Sequence, residues 1–142
     1  MAPLTRCRAG VNRVPTQLMV EYYTQRASAG LIISEATSIS PMAVGYPDTP
    51  GIWSQEQIDA WQLVTNSVHQ AGGKIVLQLW HVGRLSDPSF LNGATPVSAS
   101  TIAADGHPSY IRSIKPYDVP HALSSDEIQQ IILDYRQAAI NA

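Results

Sequence analysis

Three observations predict an α/β fold built on a parallel sheet. Short apolar runs alternate along the chain with segments whose apolar residues recur at helical spacing, as βαβ units require. The run Leu31-Ile32-Ile33-Ser34 has almost no polar face, which suits a strand covered on both sides. Two helix starts carry capping boxes, Ser54 with Gln57 and Ser124 with Glu127.

The elements follow in order. Ala2 to Leu4 is a brief apolar stub, too short for a whole strand. After a turn around Gly10 to Pro15, Thr16 is placed to cap a helix with Leu18, Met19, Tyr22 and Tyr23 on its apolar side. Gly30 is expected to end that helix in a left-handed conformation. Leu31 to Glu35 reads as a buried strand, and a Pro- and Gly-rich loop then runs to Trp53. Ile58, Trp61, Val64, Val68 and Ala71 form the stripe of the next helix, closed by Gly72-Gly73. Lys74 to Trp80 is the following strand. Ser124 opens a last helix with the stripe Ile128, Ile131, Ile132, Tyr135, Ala138 and Ala139. Between Val82 and Leu123 there is no clear helix, and the extended character of Pro96 to Ile102 and Tyr110 to Lys115 suggests a hairpin lid. On this pattern a flavodoxin-like sheet and a section of a (β/α)8 barrel both remain open.

Composition narrows the class. Of 142 residues, 44% are hydrophobic and 14% charged, whereas soluble domains carry roughly 25% charged residues. Apolar residues this evenly spread exclude disorder. There is no apolar run of about 20 residues, so no membrane span is expected. Arg6 and Arg8 are not followed by the apolar core of a signal peptide. The single cysteine, Cys7, excludes an intramolecular disulfide framework and fits a reducing, cytoplasmic setting. A net charge of −2 without a basic stripe gives no reason to expect nucleic acid as a partner. Patterns for P-loop, dinucleotide, hydrolase and zinc-protease sites are absent. Length alone suggests one domain.

In parallel α/β folds, ligands bind at the carboxyl ends of the strands. The stub ends in Thr5-Arg6, the next strand in Ser34-Glu35, and the one after it in Gln78, Trp80 and His81. A strand's period of two puts Val76, Gln78 and Trp80 on one face, with Ile75, Leu77 and Leu79 on the other. The aliphatic face suits covering helices, and the Gln78 face suits a barrel mouth. A primary amide offers one acceptor and two donors in a plane. It can meet the edge of a flat heterocycle such as flavin, or bond to neighbouring backbone. Trp80 is either a pocket wall or a packed rim residue. His81 reads as structural rather than catalytic. Glu35 is either a general base or, as the simpler reading, a salt-bridged carboxylate at a strand end. Nothing marks Cys7 as an activated thiol. Arg112 and Lys115 are either contacts to an anionic ligand or, more simply, solvated charges.

Five blocks of residues carry a resemblance. They are Ala2-Pro3-Leu4-Thr5-Arg6, Glu21 to Ala27, Gly30 to Glu35, Gly45-Tyr46 with Pro50 to Ser54, and Gln78-Leu79-Trp80-His81-Val82-Gly83-Arg84. In this order and spacing the chain resembles the old yellow enzyme family of FMN-dependent ene-reductases. The closest likeness is to the branch of N-ethylmaleimide reductases and oxophytodienoate reductases. The resemblance implies a partial (β/α)8 barrel over residues 1–142: the first three βα units with strand one truncated, and 82–123 as a lid excursion. It implies FMN as cofactor, with NADPH or NADH as reductant and an activated alkene as substrate.

The same resemblance implies roles for individual residues. Pro3, Leu4 and Thr5 match a flavin contact, with the Thr5 hydroxyl toward the O4 side of the ring. Ala36 matches a small residue near the same part of the ring. Gln78 matches the amide that binds the pyrimidine edge. Trp80 and Tyr46 match walls of the substrate pocket. The family's substrate-activating His/Asn or His/His pair, its proton-donating Tyr and its phosphate anchor match no residue here, so no catalytic residue and no metal ligand are expected in this chain. The resemblance thus implies an incomplete enzyme, inactive alone, whose barrel a complementary chain could complete. The alternative is a non-catalytic, truncated or degenerate fragment without bound flavin.

Overall fold

The computed structural model describes residues 1–142 and centres on one parallel βαβ unit. Helix α1 (Gln17–Thr24) leads into strand β1 (Ile32–Ser38). Helix α2 (Gln55–Gln70) then connects β1 to strand β2 (Ile75–Trp80), which pairs with β1 in parallel. The short strands β3 (Val97–Ser98) and β4 (His121–Ala122) form a second parallel pair, and helix α3 (Ser125–Asn141) follows.

Both expected capping boxes are formed. The Ser54 hydroxyl accepts the Gln57 amide, and Gln57 Oε1 accepts the Ser54 amide in return; Ser124 and Glu127 repeat the exchange. In α2 the apolar period buries Trp61, Val64 and Val68, and Gly72 turns the chain after it with a φ of +80° that only glycine adopts freely. Those side chains pack with Met19 and Tyr23 of α1, Ile32 of β1 and Ala138 of α3. Ile75, Leu77 and Leu79 of β2 face this core, as the alternation predicts.

Several expectations are corrected. Thr16 does not cap α1 with its side chain; its hydroxyl donates to the Arg8 carbonyl at 2.9 Å instead. The helix stops at Thr24, well before Gly30, and the chain tightens into three-residue turns from Arg26 to Ala29. Gly30 is not left-handed. The stub Ala2–Leu4 forms no strand. Met1 pairs beside the start of β1, donating to Leu31 O and accepting from Ile33 N, and Pro3 has no N–H to continue a ladder. The second strand runs to Ser38 rather than Glu35.

The expected hairpin is also absent. Residues 99–120 contain turns and bends but no strand, and the only pairing at their base is the parallel contact of β3 with β4. Side chains fix the loop instead. Lys115 Nζ lies 2.7 Å from Asp87 Oδ2, and Arg84 donates to Ile102 O at 2.8 Å. Lys115 is therefore an anchor, while Arg112 is exposed and bonds only the carbonyl beside it. Finally, the α3 stripe is only partly used. Ala138 and Ile131 reach the core, whereas Ile128, Ile132 and Tyr135 stay exposed because no further element covers them.

Candidate functional site

The site begins with an irregularity in β1. Ile33 pairs with Val76, but the next partner of β2 is reached only at Ala36, which stands opposite Gln78. Three residue steps in β1 thus match two in β2. One extra residue is inserted, which defines a bulge. Strict alternation from Ile33 would place Glu35 on the Gln78 face. The bulge turns Glu35 toward α1 and puts Ala36 and Ser38 beside Gln78 and Trp80.

Polar side chains of β1 and α1 pair with backbone groups around the bulge, as burial demands. The Glu35 amide donates to the Tyr23 hydroxyl at 2.8 Å, and the Gln78 amide N–H donates to Ser34 Oγ at 3.0 Å. The Glu35 carbonyl accepts from the hydroxyls of Ser34 and Thr37 at 2.8 and 3.0 Å. Tyr23 in turn donates its proton to Glu35 Oε1 at 3.1 Å, and Glu35 Oε2 accepts the Arg6 amide at 3.3 Å. Glu35 forms no ion pair, contrary to the simpler expectation, although it is buried. Burial raises its pKa, against the lowering effect of the Arg6 amide, the Tyr23 hydroxyl and the Arg6 charge.

On the opposite face, the Gln78 side chain is half-buried and its amide makes no hydrogen bond within the chain. Its side chain is thus not bonded to neighbouring backbone in this structure. Ala36 opposite it presents only a methyl group. Trp80 and Tyr46 come together with ring centroids 5.3 Å apart, and Tyr110 stands edge-on to Tyr46 at 5.9 Å. Pro3 and Leu4 are exposed, Thr5 is half-buried, and the Thr5 hydroxyl makes no hydrogen bond within the chain. This segment is held at β1 by the Arg6–Glu35 contact and is not bonded to Gln78 or Tyr46.

Two supporting features escape a reading by motif. Arg13 donates to the Tyr46 and Thr49 carbonyls at 3.0 and 3.2 Å, which fixes the loop that carries Tyr46. Gly45 lets that loop lie against Val82, since a Cβ there would sit 2.7 Å from the valine methyls. The sequence signal for the second was the Gly-Tyr pair itself; for Arg13 there was none. His81 Nδ1 accepts the Gly83 amide at 3.0 Å, while its Nε2 is buried without a partner. Burial lowers the His81 pKa, with Asp134 acting in the other direction, so the ring is neutral at pH 7. The largest cleft, about 560 Å³, lies between His81, Trp53 and α3, and Gln78 is not part of its lining.

A family model described as NADH:flavin oxidoreductase / NADH oxidase matches residues 1–142. The chain belongs to the NADH:flavin oxidoreductase family. Among curated members, 12-oxophytodienoate reductase 1 of Oryza sativa subsp. japonica is 49% identical over 146 residues, covering 100% of this chain and 37% of the relative. Flavin oxidoreductase hxnT of Emericella nidulans is 45% identical, covering 99% of this chain and 37% of that protein. Among solved structures, the old yellow enzyme homologue from Zymomonas mobilis superposes with a TM-score of 0.94 at 52% identity, over 100% of this chain and 40% of that one. Morphinone reductase gives 0.92 at 49% identity, again over 100% of this chain and 40% of its own. This chain therefore spans little more than a third of the length of its curated family relatives. No helix in it is long and apolar enough to cross a membrane.

Proposed function

We propose that this chain is the FMN-binding portion of an NAD(P)H-dependent ene-reductase, a section of a (β/α)8 barrel that is inactive until its remaining βα units are supplied. One observation carries the reading: the half-buried Gln78 side-chain amide has no hydrogen-bond partner in the chain and stands in register with the small Ala36. An amide so placed presents a donor and an acceptor side by side, the complement of the pyrimidine edge of a flavin. Ala36 is small enough for a ring to approach the backbone of β1. Pro3 and Leu4 supply apolar contact, and the free Thr5 hydroxyl donates toward the O4 side. Trp80 and Tyr46 wall the space where an activated alkene would lie.

When bound, FMN supplies hydride transfer, taking hydride from NADPH or NADH and passing it to the alkene. The residues of this chain bind and orient; the groups that polarise the alkene and deliver the proton belong to the complementary part. The uncovered stripe of α3, with Ile132 52% exposed, supports that incompleteness. A cytoplasmic setting suits the single half-buried cysteine.

The test is to join this chain to the segments of the Zymomonas mobilis homologue that lie outside the matched region. The chimera is expected to be yellow and to oxidise NADPH when given an activated enone, while the 142-residue chain alone holds no flavin. A folded but colourless, inert chimera contradicts the proposal and favours the degenerate-fragment alternative.

A further inference from the structure

We propose that Glu35 and Tyr23 are positioning residues for the cofactor face: together they hold the β1 bulge and tie the Thr5-Arg6 backbone to it, and so set where the Thr5 hydroxyl stands. The inference rests on the flavin reading given above and extends it to residues that do not touch the cofactor.

The geometry is specific. Tyr23 OH binds Glu35 twice, accepting its amide at 2.8 Å and donating to its carboxylate at 3.1 Å. The first bond satisfies the amide that the bulge removes from the ladder. The second orients the carboxylate, whose other oxygen accepts the Arg6 amide at 3.3 Å. Tyr23 is itself locked from behind, edge-on to Tyr22 at 5.1 Å and tilted against Trp61 at 6.2 Å. The Arg6 side chain lies over the Tyr22 ring, 5.1 Å from its centroid. The Arg6 backbone is thus tied to Glu35 of β1 and its side chain to Tyr22 of α1, and Thr5 is the residue immediately before it. Glu35 is 1% exposed and Tyr23 likewise 1% exposed, so neither group has water as a substitute partner. A carboxylate is otherwise an uncommon choice for a buried strand position. Joining one bulge to one neighbouring backbone amide accounts for its presence.

The test is a double-mutant cycle in the flavin-loaded chimera, read as the midpoint potential of the bound flavin. Thr5→Ala removes a donor that favours negative charge on the reduced ring, so the potential is expected to move lower. Glu35→Ala frees the Arg6 amide and is expected to lower the potential in the same direction. In the double variant the Glu35 contribution should vanish, because the hydroxyl it positions is gone. Glu35→Gln, which keeps the side-chain volume and one acceptor, serves the same cycle with a smaller shift if the alanine variant does not fold. A potential unmoved by Glu35 substitution, or shifts that simply add, would overturn the positioning role while leaving the flavin reading intact. If Thr5→Ala itself moves nothing, the positioning role falls with its target; flavin affinity in Gln78→Leu then shows whether the wider reading survives.

Discussion

Ala36 stands opposite Gln78 only because β1 carries one residue more than β2 between this pair and the preceding one, Ile33 with Val76. Without that insertion a buried carboxylate, Glu35, would occupy the face where a methyl now stands opposite Gln78. The bulge therefore decides what a ligand would meet on this side of the sheet.

Enlarging Ala36 tests the proposed cofactor face directly. In the chimera, Ala36→Leu should abolish flavin binding while leaving far-ultraviolet circular dichroism unchanged. Ala36 is buried but lies outside the central apolar cluster, so circular dichroism separates a blocked ligand site from a disturbed fold.

Removal of the Tyr23 hydroxyl tests the bulge. Tyr23→Phe leaves the buried Glu35 amide without its acceptor and one carboxylate oxygen without its donor. An unsatisfied buried group costs about 1–3 kcal/mol, and urea denaturation of the chimera should show a loss of that order.

The loop over residues 99–120 depends on Lys115 and Asp87. Burial alone would raise the Asp87 pKa, but bonds from Lys115 and from Ser89 prevail and lower it. Because the lowered value belongs to the folded state, the tie stabilises above the ordinary carboxylate range and is lost as pH falls through the lowered value. The Lys115 side chain is solvent-accessible, so Lys115→Met should leave global stability nearly unchanged. Limited proteolysis within residues 99–120 should nevertheless quicken at pH 7.

At the start of α3, the Ser124 amide and His121 together hold the Glu127 carboxyl down to about 2. Its contribution is present above the unfolded carboxylate range and disappears as pH falls toward 2. Helix content followed by circular dichroism should fall over that window, and Glu127→Gln should flatten this part of the titration.

How much of this was legible in the sequence varies by element. The start and stripe of α2 were, because the capping box and the apolar period agree with one another. The reach of β1 through Ser38 was not, since beyond Ser34 and Glu35 the polar Thr37 and Ser38 look like loop residues. Their polar atoms are buried and largely bonded to local backbone, which a hydropathy pattern cannot express. The face of Gln78 follows from a period of two along β2, whereas its partner Ala36 depends on a bulge that breaks that period in β1. The lid was misjudged because its shape rests on two side-chain ties, Lys115 to Asp87 and Arg84 to Ile102 O, and on a two-residue parallel pairing. The α3 stripe was read correctly as apolar; its exposure reflects the absence of neighbours and not an error in the period.

The central claim is that Gln78 holds the edge of a flavin. Titration of FMN into the chimera, comparing the unsubstituted protein with Gln78→Leu, tests it most directly. Hydrogen bonds contribute roughly 0.5–1.5 kcal/mol each, so losing two of them should weaken binding by about tenfold or more. Thermal stability of the flavin-free chimera should hardly change, because the amide bonds nothing within the chain. Equal flavin affinity in the two proteins would contradict the account.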